Sequence, residues 1–77
     1  MTTRVSLIID ENEIGDYRAP RVFQACRHFA QRLAPRCYIM ADYVDHARVG
    51  WTFHMPTETG AAQLRHYHQS IMARPAH

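Results

Sequence analysis

The sequence predicts an α+β domain in which two helices pack on one face of a three-stranded sheet. Three observations support this fold class. The chain has 77 residues, which is enough for a single domain spanning residues 1–77. Two segments carry apolar residues three and four positions apart, as amphipathic helices do, and three segments carry them at every second position, as strands do. These segments follow one another in the order strand, helix, strand, strand, helix, or βαββα.

The first strand is predicted over residues 3–10. Its apolar side chains alternate, so that one face holds Val5, Leu7 and Ile9 while Ile8 points to the other. Residues 10–16 carry four acids and one glycine, and we expect them to form a polar connection.

The first helix is predicted to run from the region of Pro20 to Ala34. Proline suits the first turn of a helix, because its missing N–H has no partner there in any case. The helix should end before Pro35. Its apolar stripe consists of Val22, Cys26, Phe29 and Leu33.

A hairpin of two strands is predicted next. The second strand covers residues 36–44, a tight turn covers residues 45–48, and the third strand continues to Met55. The third strand shows the clearest alternation, with Val49, Trp51, Phe53 and Met55 on one face.

The last predicted element is a second helix, which starts after Pro56 and runs out before Pro75. Thr57 or Thr59 is placed to cap its N-terminus. Its apolar stripe consists of Ala61, Leu64, His68, Ile71 and Met72. The core is expected to include Val22, Phe29, Leu33, Trp51, Phe53, Leu64 and Ile71.

The hairpin allows the third strand to lie between the first two, with a right-handed crossover from the first strand to the second. This topology resembles a split βαβ, ferredoxin-like arrangement that lacks its final strand. Both helices then cover the same sheet face, and the other face stays open. Depending on the register, the open face carries either Tyr38, Met40 and Val44 or Cys37, Ile39 and Tyr43.

Charge is segregated along the chain. The net charge is +2 and all nine basic residues are arginines, five of which fall in residues 17–41 without a single acid. Several of them lie opposite the apolar stripe of the first helix, which predicts a basic outer face for docking on an acidic protein or on phosphates. The predicted partner-binding residues are Arg18, Arg21, Arg27 and Arg32 on this helix, and Tyr38 and Tyr43 on the sheet.

Catalytic, metal and membrane signatures are weak. No nucleophile elbow, phosphate loop or metal-ligand spacing occurs, so we expect neither a cofactor nor a metal site, and we expect two reduced cysteines. No apolar run approaches the roughly 20 residues that span a bilayer, and we expect a cytoplasmic protein. One aromatic and histidine cluster would suit a small cofactor-independent enzyme on a dimeric sheet: Trp51, Phe53, His54 and His68.

These features favour a small non-enzymatic interaction protein. Its expected role is to bind and inhibit a host macromolecular machine, an expectation that rests on what very small proteins without motifs do and not on a particular residue. Inhibitors carried by phages and mobile elements, of which anti-CRISPR proteins are one type, act in this way. The first alternative is an arginine-rich nucleic-acid-binding regulatory module, and the second is the small enzyme. The expected partners are therefore a host protein complex, nucleic acid or a second copy of the chain.

Overall fold

The computed structural model describes residues 3–9, 11–15 and 17–73. Its elements follow the predicted order, with one addition. They are strand β1 (Thr3–Ile8), helix α1 (Glu11–Ile14), helix α2 (Arg18–Leu33), strand β2 (Tyr38–Val44), strand β3 (Ala47–Met55) and helix α3 (Glu58–Met72). The addition is α1, a single helical turn within the segment that is predicted to be a polar connection. Asp10 and Asp16, at the two ends of that connection, lie outside the described residues.

The sheet has the strand order β1-β3-β2, so the third strand occupies the middle position that the hairpin allowed. Both outer strands run antiparallel to β3 and therefore parallel to each other. Each outer strand thus has one side that pairs with β3 and one side that pairs with no strand of the described part of the chain.

The hairpin turn is shorter than predicted. Asp45 and His46 both adopt positive φ angles, 49° and 68°. Two successive left-handed residues are typical of a two-residue type I′ turn, whose twist matches that of the flanking strands. The third strand therefore begins at Ala47, inside the predicted turn, and the second begins at Tyr38 instead of residue 36.

A bulge follows the turn on β3. Asp42 pairs with Gly50 and the next residue, Tyr43, pairs with Arg48, so Val49 is one residue more than β2 can match. Because side chains alternate along a strand, this extra residue brings Arg48 to the same side as Trp51. The guanidinium carbon of Arg48 lies 5.1 Å from the centre of the Trp51 ring.

The second long helix starts at the first of the two predicted caps. The Thr57 side-chain oxygen accepts a hydrogen bond of 3.0 Å from the backbone N–H of Gly60. This bond satisfies one of the N–H groups that the first turn of a helix leaves without an intrahelical partner.

Both long helices cover the same face of the sheet, as predicted. The core lies between them and the odd-numbered residues of β1 and β3. Its largest fully buried side chains are those of Phe53, Met55, Leu64, Val5 and Cys26. Val22 and Ile71 are also buried, in agreement with the predicted core.

Three predicted core residues are less buried than expected. Leu33 is 40% exposed, because it lies in the last turn of α2 and lines an outer groove with Tyr67 instead of meeting the sheet. Phe29 is half-buried and stacks on Tyr67, with ring centres 4.2 Å apart. Trp51 is half-buried under α2, where its ring stacks on Phe23 at 3.9 Å.

Candidate binding surface

The sheet face opposite the helices is open, and the strand register arranges its side chains in three rows. We call this surface the open sheet face. Its rows run across β1, β3 and β2 in turn: Arg4, His54 and Tyr38; Ser6, Thr52 and Met40; Ile8, Gly50 and Asp42. Of the two sets predicted for this face, the structure selects the one that contains Tyr38 and Met40.

Polar side chains form a hydrogen-bonded chain across the middle of the open sheet face. Thr52 donates a bond of 2.7 Å to the Asp42 carboxylate, and its oxygen lies 3.2 Å from the Ser6 hydroxyl. These bonds link all three strands and hold the Asp42 carboxylate over β3. A fixed carboxylate and hydroxyl on a flat surface offer oriented hydrogen-bond partners to an incoming molecule.

An aromatic and basic row lies beside this chain. The Tyr38 ring is tilted against the His54 ring with centres 5.4 Å apart, and Arg4 lies on the other side of His54. Tyr38 remains 59% exposed despite this contact. A shallow depression of about 300 Å³ runs between this row and the polar chain, with Met40 at its β2 side.

Large hydrophobic side chains are concentrated at β2. Seven large hydrophobic residues of the described chain are exposed, and four of them belong to this one strand: Tyr38, Met40, Tyr43 and Val44. No residue of β2 is buried, in contrast to β1 and β3. Ile8, 64% exposed, adds an apolar side chain at the opposite edge of the open sheet face.

The structure separates the four arginines predicted to bind a partner. Arg21, Arg27 and Arg32 are exposed on α2, but Arg18 is half-buried and donates a 3.0 Å hydrogen bond to the Ile71 carbonyl. That carbonyl belongs to the last turn of α3, so Arg18 caps the C-terminus of the neighbouring helix.

The three exposed arginines do not form one compact patch. At 100° per residue, Arg21 and Arg32 lie about 20° apart around α2, and Arg27 lies about 120° from Arg21. The first two therefore flank the side that faces α3, and the third lies on the other flank. The two predicted tyrosines, Tyr38 and Tyr43, are both exposed on β2.

Several side chains of the open sheet face were not among the predicted site residues. They are Arg4, Ser6, Ile8, Met40, Asp42, Thr52 and His54. The signal that identifies them is parity: in all three strands they occupy the even-numbered positions, and the odd-numbered positions of β1 and β3 hold the core residues.

The predicted aromatic and histidine cluster does not form on one face. His54 contacts Tyr38 on the open sheet face, and Phe53, its neighbour in β3, points into the core. His68 lies on α3, half-buried. Its Nε2 atom is buried and has no hydrogen-bond partner among the described residues. Burial lowers the pKa of His68 from its ordinary value, and a hydrogen bond to the Ile8 backbone acts in the opposite direction.

Neither cysteine is set up as a nucleophile. Burial raises the pKa of Cys26 to about 11. Burial also raises the pKa of half-buried Cys37, and a backbone hydrogen bond lowers that pKa to a smaller extent. Thiols with raised pKa values are poor nucleophiles at neutral pH, because the thiolate is the reactive form.

Two further concavities lie on the helix side. One is a groove of about 460 Å³ between α2 and α3, above the stacked rings of Phe29 and Tyr67. The other is a pocket of about 180 Å³ beside Trp51 and Arg48. In residues 3–9, 11–15 and 17–73, no three His, Cys, Asp or Glu side chains are placed to hold a metal ion.

Comparison of the chain with protein-family models, with curated proteins and with solved structures gave no match. Within the described residues, no helix has the length and apolar character needed to cross a membrane.

Proposed function

We propose that this chain is an interaction protein that binds a protein partner through the open sheet face. The observation that carries the proposal is the grouping of exposed apolar side chains around a fixed polar chain. Ile8, Tyr38 and Met40 are 64%, 59% and 48% exposed, and they surround the bonded pair of Thr52 and Asp42. Exposed apolar side chains beside a few oriented hydrogen-bonding groups are a combination that protein interfaces contain.

Covering the three apolar side chains contributes to the affinity for a partner. Fully burying a large apolar side chain contributes about 1.5–3 kcal/mol of favourable free energy, so covering a half-exposed one in a complex contributes about 1 kcal/mol. Three such side chains together supply about 3 kcal/mol, a factor of about one hundred in affinity. Tyrosine and arginine are also the residue types enriched at interface hot spots, which makes Tyr38 and Arg4 the strongest anchors.

The basic residues of α2 have a secondary role in this proposal. Arg21, Arg27 and Arg32 are exposed and charged, and such residues are stable in water without a partner. Charges at the periphery of an interface act mainly on the association rate and its salt dependence. We therefore assign them to steering an acidic partner, whereas Arg18 holds the two long helices together.

We further propose that binding inhibits a host macromolecular machine, as inhibitors encoded by phages and mobile elements do, anti-CRISPR proteins among them. The open sheet face supports this role, because a protein that covers one surface of its partner blocks any other molecule that needs the same surface.

Affinity capture from the native host lysate tests the proposal. Two substitutions on β1 and β3, Arg4→Glu and His54→Ala, change the open sheet face and leave the sequence of β2 unaltered, although the second removes the ring contact with Tyr38. We expect wild-type protein to retain one partner in stoichiometric amount and the double variant to lose it by about tenfold or more. The matched control makes the same two kinds of change at exposed positions of α3, as Arg65→Glu with His66→Ala.

The outcomes separate the candidate functions. Equal retention of the partner by the wild-type protein and the open-face variant would refute the proposed surface. Retention of nucleic acid alone, with an affinity that falls steeply with the logarithm of salt concentration, would favour the nucleic-acid-binding module instead.

A further inference from the structure

The free edge of β2 lacks the features that keep sheet edges apart. β2 pairs with β3 on one side, and no strand of the described residues lies on the other. Natural proteins protect such edges with lysines, prolines, bulges or inward-pointing charges. The seven residues of β2 include no proline and no basic residue, and the bulge lies on β3. The one charged residue, Asp42, is held over β3 by Thr52.

The sequence of β2 is complementary to itself in the antiparallel direction. When a second copy pairs about an axis at Ala41, residues whose numbers sum to 82 lie opposite one another. The opposed residues are Tyr38 and the partner's Val44, Ile39 and the partner's Tyr43, and Met40 and the partner's Asp42. Each tyrosine thus meets a β-branched aliphatic residue, a cross-strand combination that stabilises by about 0.2–1 kcal/mol relative to alanine.

We propose that two copies of the chain pair along their β2 edges, antiparallel and with the two-fold axis at Ala41, to form one continuous six-stranded sheet. Opposed residues in this register lie on the same face, so the two open sheet faces lie on the same side of the dimer. Three of the four exposed hydrophobic side chains of β2, those of Tyr38, Tyr43 and Val44, gain an apolar neighbour. This inference goes beyond partner binding, since it concerns only contacts between copies.

Disulfide cross-linking tests the register directly. In an antiparallel pair, opposed Cα atoms lie about 4.5–5.5 Å apart, within the range that a disulfide bridges. In a Cys37→Ser background, which leaves only the buried Cys26 thiol, Ala41→Cys should therefore form a covalent dimer under mild oxidation. The matched control is Met40→Cys. Its two copies would lie on a diagonal of about 7–8 Å.

Pairing in the proposed register and random collision between molecules predict opposite orders of cross-linking rate for the two variants. Met40 is an exposed side chain and Ala41 is half-buried, so random collisions would cross-link the Met40→Cys variant faster. Faster cross-linking of Ala41→Cys supports the proposed register. Faster cross-linking of Met40→Cys, or none in either variant, overturns it.

Sedimentation of the full chain over a range of concentrations provides the second measurement. We expect wild-type protein to form a dimer, and Tyr43→Lys with Val44→Lys to raise its dissociation constant by about tenfold or more, because four cross-strand contacts per dimer are lost. Both residues are exposed, so the fold should be retained.

The control variant, Gln31→Lys with Gln69→Lys, adds the same two positive charges at exposed positions of the two long helices. A wild-type monomer at all concentrations, or a dimer that the edge variant leaves unchanged, overturns the proposal. Neither result bears on partner capture, whose test variants lie on β1 and β3, so the two proposals can fail separately.

Discussion

Gly50, in the middle strand, leaves no room for a side chain, and Gly50→Ala is the most informative single substitution in this fold. A Cβ atom added at Gly50 would overlap the backbone carbonyl oxygen of Leu7 and would lie 3.2 Å from the Cα atom of Ile8. Both neighbours are backbone atoms of β1, which cannot rotate away as a side chain can. The substitution therefore forces β1 and β3 apart at the end where Leu7 enters the core.

The expected cost is a large part of the total stability. Overpacking costs typically about 1–3 kcal/mol when side chains can adjust, so a backbone clash should reach about 3 kcal/mol or more. A chain of 77 residues has a free energy of unfolding of about 4–12 kcal/mol at 0.05–0.15 kcal/mol per residue. A loss of 3 kcal/mol lowers the thermal midpoint by about 12–24 °C in a domain of this size.

Thermal unfolding followed by circular dichroism measures this cost, and Gly60→Ala is the matched control. A Cβ atom at Gly60 would lie 3.2 Å from the Thr57 hydroxyl and 3.5 Å from the end of the flexible Met55 side chain. Alanine also has the higher helix propensity, so the control should change stability by no more than about 1 kcal/mol. If Gly50→Ala melts within a few degrees of wild type, the proposed close approach of β1 to β3 is wrong.

Three further predictions concern half-buried and buried side chains. Trp51→Ala should lower the free energy of unfolding by about 2–3 kcal/mol, less than the 3–5 kcal/mol expected when a fully buried ring is removed. An unchanged denaturation midpoint would place the ring outside the core. Because burial lowers the pKa of His68 in the folded state, its contribution to stability should be complete above the unfolded pKa of about 6.5 and should be lost as the pH falls below it. Thermal midpoints between about pH 7 and about pH 5 should thus depend less on pH in His68→Gln than in wild type or in exposed His66→Gln, and parallel profiles would contradict this. Native protein should react with an alkylating reagent at Cys37 long before Cys26, which is buried and has a pKa raised to about 11. In denatured protein, mass spectrometry should find both cysteines modified. Equal reaction rates in native protein would show that Cys26 is not buried.

Local patterns predicted most of the fold. Alternation identified all three strands, and the Thr57 cap and the prolines located the helices to within a few residues. The hairpin allowed β3 to lie in the middle of the sheet but did not fix the strand order, which the structure gives as β1-β3-β2. The parts that failed were those that depend on precise chain geometry. The turn at Asp45 and His46 requires positive φ angles at residues other than glycine, for which the sequence carried no glycine signal.

The candidate surface was predicted less completely. Of the two predicted tyrosines, Tyr38 lies on the open sheet face and Tyr43 lies on the other face of β2. Arg4, Thr52 and His54 were not predicted, since none of them forms a recognisable motif with its neighbours in sequence. Thr52 and Ser6 are separated by 46 positions in the chain, and only the β1–β3 register brings them together.

Element order, strand faces and helix faces follow from the sequence alone, because periodicity is a local property of consecutive residues. Alternation divides β2 into two sets of side chains, but it does not say which set the helices cover. That choice depends on the pairing of β2 with β3 and of β3 with β1, whose residues are distant in the chain. Long-range packing also decides the role of Arg18. It is one of several arginines close together in the sequence, but its side chain donates a hydrogen bond to a carbonyl 53 residues away. Long-range pairing therefore decides which residues of this chain meet the core and which meet solvent.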